Sequence, residues 1–128
     1  MKYIDVKLYN SNKLINNYEM LPCIIKDDRI IFTLENIKTT ISNETFERED
    51  DNYHFILNHK DKTCIYTLKA INQTYDIEVE RLTINRTKEI IELQYKINSN
   101  DEEIKILINI KEWLYENIYS KRRRIPKK

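Results

Sequence analysis

Hydrophobic and polar residues alternate along most of this chain. In the first such run, Ile4, Val6 and Leu8 are separated by Asp5 and Lys7. Strict alternation over about four to eight residues is typical of a β-strand with one face buried and the other in solvent. The same rhythm returns at residues 30–34, 53–57, 64–68, 75–79, 91–97 and 104–110.

Short polar segments separate these runs, and each is suited to a tight turn. They lie at residues 26–29, 49–52, 59–62, 85–88 and 99–102. The chain contains no glycine, so Asn and Asp must supply any turn position with positive φ. Between Val79 and Leu82 the alternation slips by one position, which indicates a β-bulge at Glu80 and Arg81.

Consecutive strands joined by tight turns form an up-and-down meander, and an open meander would leave an unpaired strand at each margin. Closing the sheet on itself removes both margins. The sequence therefore predicts an all-β fold, a small antiparallel up-and-down barrel of eight or nine strands over residues 1–111. A two-sheet sandwich is the alternative.

The pattern changes after Lys111. Trp113, Leu114 and Ile118 fall at helical spacing, with charged residues on the other face, which predicts a short C-terminal helix over residues 112–120. A helix of this length is unstable alone, so we expect it to pack its Trp113 side across an open end of the barrel. Residues 121–128 form a basic tail, which we expect to be disordered.

Charge is unevenly distributed between these parts. The whole chain carries a net charge of +1, and the six positive charges of the tail leave −5 on residues 1–120. The sequence shows no signal peptide and no apolar run long enough to span a membrane, and neither Cys23 nor Cys64 belongs to a CxxC motif. These features predict a cytoplasmic protein with two thiols, and a single disulfide is the alternative.

The missing glycines also exclude several kinds of catalytic site. The P-loop, the dinucleotide-binding GxGxxG motif and the GxSxG nucleophile elbow all need backbone that only glycine supplies. Metal binding needs three or four converging ligands, whereas His54 is expected to face solvent, His59 lies in a turn and the two cysteines lie far apart. We therefore predict no catalytic residue, no metal and no cofactor.

Arg48 is the polar residue with the most informative position. It shares alternation parity with Phe46, so if Phe46 points into the barrel, Arg48 does too, near one mouth. An inward arginine must be paired or must bind an anion. The pairing alternatives are an internal glutamate such as Glu44, a tyrosine hydroxyl or backbone carbonyl groups.

Four tyrosines fall at the same alternate positions as the hydrophobic residues of their strands. We therefore expect them to point inward and to surround an anion bound by Arg48. A buried tyrosine usually finds a hydrogen-bond partner for its hydroxyl, so these rings could line a cavity with polar tips. A barrel filled by its own side chains is the alternative. The set consists of Tyr53, Tyr66, Tyr75 and Tyr95, and we predict ligand binding at Arg48, Tyr53, Tyr66 and Tyr95.

The basic tail is a second candidate contact. Its charges would attract phosphate groups of RNA or anionic lipid, with an affinity that falls as salt rises. It has no aromatic residue to stack on a base, which argues against sequence-specific recognition. The predicted contact residues are Lys121, Arg122, Arg123, Arg124, Lys127 and Lys128.

The order of the runs resembles the YwiB-like family of Gram-positive bacteria. The similarity covers residues 20–111 and is carried by Phe46-Glu47-Arg48, Tyr53-His54-Phe55, residues 77–82, residues 91–97 and the closing run 104–110. The family's Tyr-x-Thr-Pro-x-Gly segment has no counterpart at residues 68–73. The resemblance implies a bacterial protein with a calycin-type, lipocalin-like barrel, and Arg48 corresponds to an arginine common in the family.

Two functions follow as expectations. The first is a non-enzymatic barrel that binds a small anionic or amphipathic molecule or a protein partner. The alternative is an RNA- or ribosome-associated protein that acts through its basic tail, with the barrel as scaffold. An enzyme whose site matches no known motif is a third possibility.

Overall fold

A computed structural model of the chain describes residues 2–97 and 102–111. Within them the backbone is almost entirely extended, and the chain forms ten antiparallel strands where the sequence predicted eight or nine. The strands are β1 (Lys2–Asn10), β2 (Lys13–Lys26), β3 (Arg29–Leu34), β4 (Ile37–Ile41), β5 (Thr45–Glu49), β6 (Tyr53–Asn58), β7 (Thr63–Leu68), β8 (Gln73–Arg86), β9 (Ile90–Ile97) and β10 (Glu103–Ile110).

The ten strands close into a barrel, as the meander argument predicted. Each strand pairs with its neighbours in sequence, and β1 lies between β2 and β10. The closing pair runs antiparallel from Ile4 opposite Ile110 to Asn10 opposite Ile104. The all-β, antiparallel barrel is therefore confirmed, and the sandwich is not.

Two 14-residue strands, β2 and β8, change partners along their length. The first part of β2 pairs with β1 as far as Cys23, and only Cys23–Lys26 pair with β3. In β8, residues 73–78 pair with β7, and Val79 onward pairs with β9. The register of β8 against β9 shifts between Val79 and Arg81, which confirms the predicted bulge.

Two further irregularities, in the pairing of β1 with β2, were not predicted, and the second lies between Leu8 and Tyr9. The register of β1 against β2 shifts between Ile4 and Val6, and Met20 takes a positive φ of 56° there. Its backbone N–H donates a hydrogen bond to the Asp5 carboxylate at 2.9 Å. Lys111 Nζ lies 3.5 Å from the other oxygen of Asp5, so this side chain links β1, β2 and the end of β10.

Two strands lack the alternation that identified the others. The inward positions of β4 are Ile37, Thr39 and Ile41, and the fully buried Thr39 interrupts the hydrophobic pattern. The first half of β2 is exposed on both faces, including Leu14 and Ile15. A strand with no buried face has no period of two to detect.

The interior is filled mainly by aliphatic residues, and Phe46 is the largest fully buried side chain. Facing positions include Ile41 opposite Phe46 and Phe46 opposite Leu57. The buried hydrophobic set is Ile4, Val6, Cys23, Ile30, Phe32, Leu34, Ile41, Phe46, Leu57, Cys64, Leu82, Ile91, Leu93, Ile106 and Ile108.

The turns use asparagine and aspartate only in part. Asn12, Asn36, Asn72 and Asp27 have positive φ, as expected for a chain without glycine. Ser11, Glu35 and Lys62 also take positive φ in turns, where a Cβ makes this conformation costly. Because the strands alternate in direction, the turns at 11–12, 35–36, 50–52 and 69–72 share one end of the barrel, here called the Arg48 end.

The predicted helix at 112–120, its packing across a barrel end and the basic tail at 121–128 lie outside the described residues.

Neighbouring isoleucines on β9 offer a test of which face is buried. Ile91 is fully buried and Ile90 is 41% exposed. We expect Ile91→Ala to lower the free energy of unfolding by about 2–5 kcal/mol, because it leaves a cavity in the core. Ile90→Ala should cost less than about 1 kcal/mol. Urea unfolding followed by circular dichroism measures both, and equal losses would contradict the assigned face.

Candidate functional site

A row of inward side chains crosses the barrel wall towards the Arg48 end. The strand register places Thr39 opposite Arg48, Arg48 opposite Phe55 and Phe55 opposite Tyr66. Cross-strand neighbours on one face have Cβ atoms about 4.5–5.5 Å apart, so these side chains are packed side by side. The parity argument that placed Arg48 on the Phe46 face is thus consistent with the strand register.

These residues surround a cavity of about 320 Å³, lined by Arg48, Tyr53, Phe55, Tyr66 and Tyr95. Each comes close to a strand end: Tyr53 begins β6, and Arg48 is one residue from the end of β5. All four residues singled out from the sequence therefore line one cavity.

Arg48 is held in the cavity wall by two contacts. Its Nη2 donates a hydrogen bond to the carbonyl oxygen of Leu34 at 2.9 Å and lies 3.6 Å from Oε1 of Glu35. Its Nε is buried and has no hydrogen-bond partner within residues 2–97 and 102–111. A backbone carbonyl, one of the anticipated alternatives, thus accepts a bond from Arg48. One N–H donor at the head of the side chain stays unmatched.

Aromatic rings form the rest of the wall. Tyr53 and Tyr66 stack with their centroids 5.5 Å apart and their planes 26° apart. The ring centroid of Tyr95 lies 6.2 Å from that of Phe55 and 6.1 Å from that of Phe46. Tyr95 therefore packs between the cavity and the hydrophobic core. The stacked pair is a flat surface of the kind that an aromatic ligand can contact.

Tyr53 and Tyr95 are held in their neutral form. Burial raises the pKa of Tyr95 to about 12, although the nearby Arg48 acts in the opposite direction. Burial also raises the pKa of Tyr53, again against the effect of Arg48. At neutral pH these phenols are uncharged and can donate or accept hydrogen bonds.

Tyr18 and Glu35 belong to the same mouth and were not found from the sequence. The pKa of Tyr18 is raised, first by burial and then by the negative charge of the nearby Glu35. Glu35 therefore lies close to both Tyr18 of β2 and Arg48 of β5. It lies in a turn at positive φ, where no alternation exists to assign it a direction.

Phe55 was also left out of the predicted site, although its parity with Tyr53 could have identified it. Tyr75 does not share the cavity wall, and the Glu44 alternative for Arg48 is not observed. Tyr75 is 43% exposed and donates its hydroxyl proton to Gln73 outside the cavity, at 2.7 Å. Arg48 pairs with the carbonyl of Leu34 and lies near Glu35, with no contact to Glu44.

Outside the barrel, Glu47, Glu49 and His54 form a compact cluster whose ligand atoms lie within 4.8 Å of one another. Each already has a charged or hydrogen-bonding partner. His54 Nε2 lies 2.5 Å from Glu47, and Lys69 Nζ lies 2.9 Å from Glu49, lowering the pKa of that carboxyl. We interpret the cluster as a surface ion-pair network.

The two cysteines are both buried and do not form a disulfide with each other. Burial raises the pKa of the Cys64 thiol to about 11. The thiol is therefore protonated at neutral pH, which makes it a poor nucleophile.

The six basic tail residues proposed as a nucleic-acid contact lie beyond residue 111, outside the described residues. No helix in the described part of the chain has the length and hydropathy needed to cross a membrane.

Comparisons with protein-family models, with curated proteins and with solved structures found no match to this chain. The resemblance to the YwiB-like family therefore stays a prediction.

Ionisation of Tyr95 provides a measurable signature of the site. Its pKa rises from an ordinary value of 10.0 to about 12 on folding. Between these values the unfolded state has lost a proton that the folded state retains, so stability falls as pH rises. The contribution of the raised Tyr95 pKa to the free energy of unfolding is complete below pH 10. We expect up to about 2–3 kcal/mol of it to be lost as pH rises through 12.

A Tyr95→Phe variant isolates this effect, because the other groups with raised pKa values are present in both proteins. We expect the difference in free energy of unfolding between parent and variant to shrink from pH 9 to pH 11.5 in urea titrations. A difference that stays constant over this range would show that Tyr95 ionises normally.

Proposed function

We propose that this protein is a non-enzymatic binding protein whose barrel takes up a small aromatic anion at the Arg48 end. The cavity of about 320 Å³ is at the low end of the volumes typical of small-molecule sites. Up-and-down barrels commonly hold one ligand inside an open mouth, as lipocalins do. A lipocalin-like mode of binding is part of this proposal.

The buried, unpartnered Nε of Arg48 carries the proposal. A buried donor without an acceptor costs about 1–3 kcal/mol, and more on a charged group. A carboxylate or similar anion accepts two parallel hydrogen bonds from a guanidinium group. A ligand of this chemistry would give Nε the acceptor that the protein does not provide.

The cavity walls support an aromatic body for this anion. Tyr53, Tyr66, Phe55 and Tyr95 present flat rings, and the raised pKa values of Tyr53 and Tyr95 keep those two phenols neutral. Neutral hydroxyl groups do not repel an anion and can donate hydrogen bonds to it. The site thus combines one positive charge with aromatic rings and phenol hydroxyl groups.

Glu35 serves as the partner of Arg48 when no ligand is bound. Its carboxylate is 3.6 Å from Nη2, longer than a good hydrogen bond, and its side chain is 40% exposed. A surface pair of this kind is weak, so an incoming anion can displace it. Glu35 is attached to a turn outside the strands, which leaves the barrel unchanged when the side chain turns away.

Benzoate and its neutral analogue benzamide test the role of Arg48. We expect the parent protein to bind benzoate more tightly than benzamide, because only benzoate can pair with the guanidinium. Arg48→Met should weaken benzoate binding by at least about tenfold, the value of a hydrogen bond to a charged group, and leave benzamide binding nearly unchanged. Chemical-shift titration measures both affinities.

Arg81→Gln is the matched control, since Arg81 pairs with Glu103 on the outer surface and is 58% exposed. It should bind both compounds as the parent does. Circular dichroism spectra verify that each variant is folded. Failure of the parent to bind benzoate, or an Arg48→Met variant that binds it equally well, would refute the proposal.

A second variant should change affinity in the opposite direction. Glu35→Gln removes a negative charge beside Arg48 and keeps the size of the side chain, so we expect benzoate to bind a few-fold more tightly. Benzamide affinity should not change. Glu44→Gln, an exposed acid at the opposite end of the barrel, is the control. Weaker benzoate binding in Glu35→Gln would mean that Glu35 contacts the ligand and does not compete with it.

A further inference from the structure

A second concave surface lies on the outside of the barrel, away from the Arg48 cavity. This groove, here called the β2–β3 groove, has a volume of about 900 Å³. Ile24 on its wall is 63% exposed, the highest value among the large hydrophobic residues of the described chain. The groove is lined by Lys2, Pro22, Cys23, Ile24, Ile25, Ile31, Phe32, Thr33 and Lys38.

The groove exists because β2 changes partners there. Residues before Cys23 pair only with β1, and Thr33 and Leu34 of β3 extend beyond the last pair with β2, which joins Cys23 to Phe32. The two strands therefore diverge and leave a gap between their backbones. An apolar surface of this kind on a small protein is typically covered by another segment or partner.

The C-terminal segment leaves the barrel beside this groove. The backbone N–H of Lys111 donates a hydrogen bond to the carbonyl oxygen of Tyr3 at 2.8 Å. The next residue along β1, Lys2, lines the groove and pairs in register with Cys23. A chain that continues from Lys111 therefore starts within one strand of the groove and needs no linker to reach it.

We propose that residues 112–120 of this chain occupy the β2–β3 groove. Trp113, Leu114 and Ile118 share one face of the helix that the sequence predicts, and Ile24 and Ile31 offer the complementary surface. A short amphipathic helix gains its stability from such packing.

Charge agrees with this placement. The groove carries Lys2 and Lys38, while the segment carries Glu112 and Glu116 on the face away from its hydrophobic residues. The segment has no basic residue, so its net charge of −2 is opposite in sign to that of the two groove lysines. The proposal places the segment on the barrel wall, whereas the sequence alone suggested a barrel end.

Trp113 is the only tryptophan in the chain, so its fluorescence reports on this segment alone. In the full-length protein we expect blue-shifted emission and weak quenching by acrylamide, because the indole lies against the groove. Ile24→Glu should shift the emission to the red and raise the quenching constant several-fold. Ile71→Glu introduces the same change at a residue that is 59% exposed elsewhere, and it should leave Trp113 unaffected.

Ile24→Ala is the second variant, since it removes groove surface at an exposed position and should not impair folding. It should raise quenching to a smaller degree than Ile24→Glu. Fluorescence at low and high protein concentration identifies the occupant. Burial of Trp113 that grows with concentration would assign the groove to a second copy and overturn the proposal. Trp113 that is fully quenchable in the parent, or insensitive to both Ile24 variants, would overturn it too.

Discussion

The structure depends on the pairing of the first strand with the last. Because β1 lies between β2 and β10, every strand has a neighbour on each side, and the barrel encloses one interior. Barrel diameter grows with strand number, and an eight-stranded barrel is either just filled by its side chains or holds one small ligand. Ten strands enclose more space. Aliphatic residues and Phe46 form the buried core, and the cavity at the Arg48 end is lined by Arg48 and four aromatic residues.

Alternation predicted those strands whose inward positions are hydrophobic, and it predicted the bulge near Glu80. It also placed Arg48 on the inner face, because side chains alternate between the two faces of a strand that has no bulge. It could not reveal β4, where Thr39 is buried among hydrophobic residues, or the first half of β2, which has no buried face. The alternation of hydrophobic and polar residues indicates which way a side chain points. It gives no such information where a strand has no single buried face.

Some residues of the candidate site could be predicted from the alternation within their own strand, and others only from the fold. Arg48, Tyr53, Tyr66 and Tyr95 were predictable one by one from parity, and the register then brought them together. Glu35 was not predictable, since it lies in a turn and approaches Arg48 only through the fold. Its neighbour Tyr18 lies on a mostly exposed part of β2. Contacts between residues distant in sequence require the strand order and register, which composition and period do not contain.

The position of the two concave surfaces keeps them independent. Tyr53 begins β6 at the Arg48 end, whereas Lys111 meets Tyr3 at the opposite end, where β1 starts and β10 finishes. The C-terminal segment therefore starts at the end opposite the cavity mouth. A segment docked on the β2–β3 groove would cover apolar wall and leave that mouth accessible. The groove would then contribute to stability, while anion binding would rest on Arg48 and the surrounding rings.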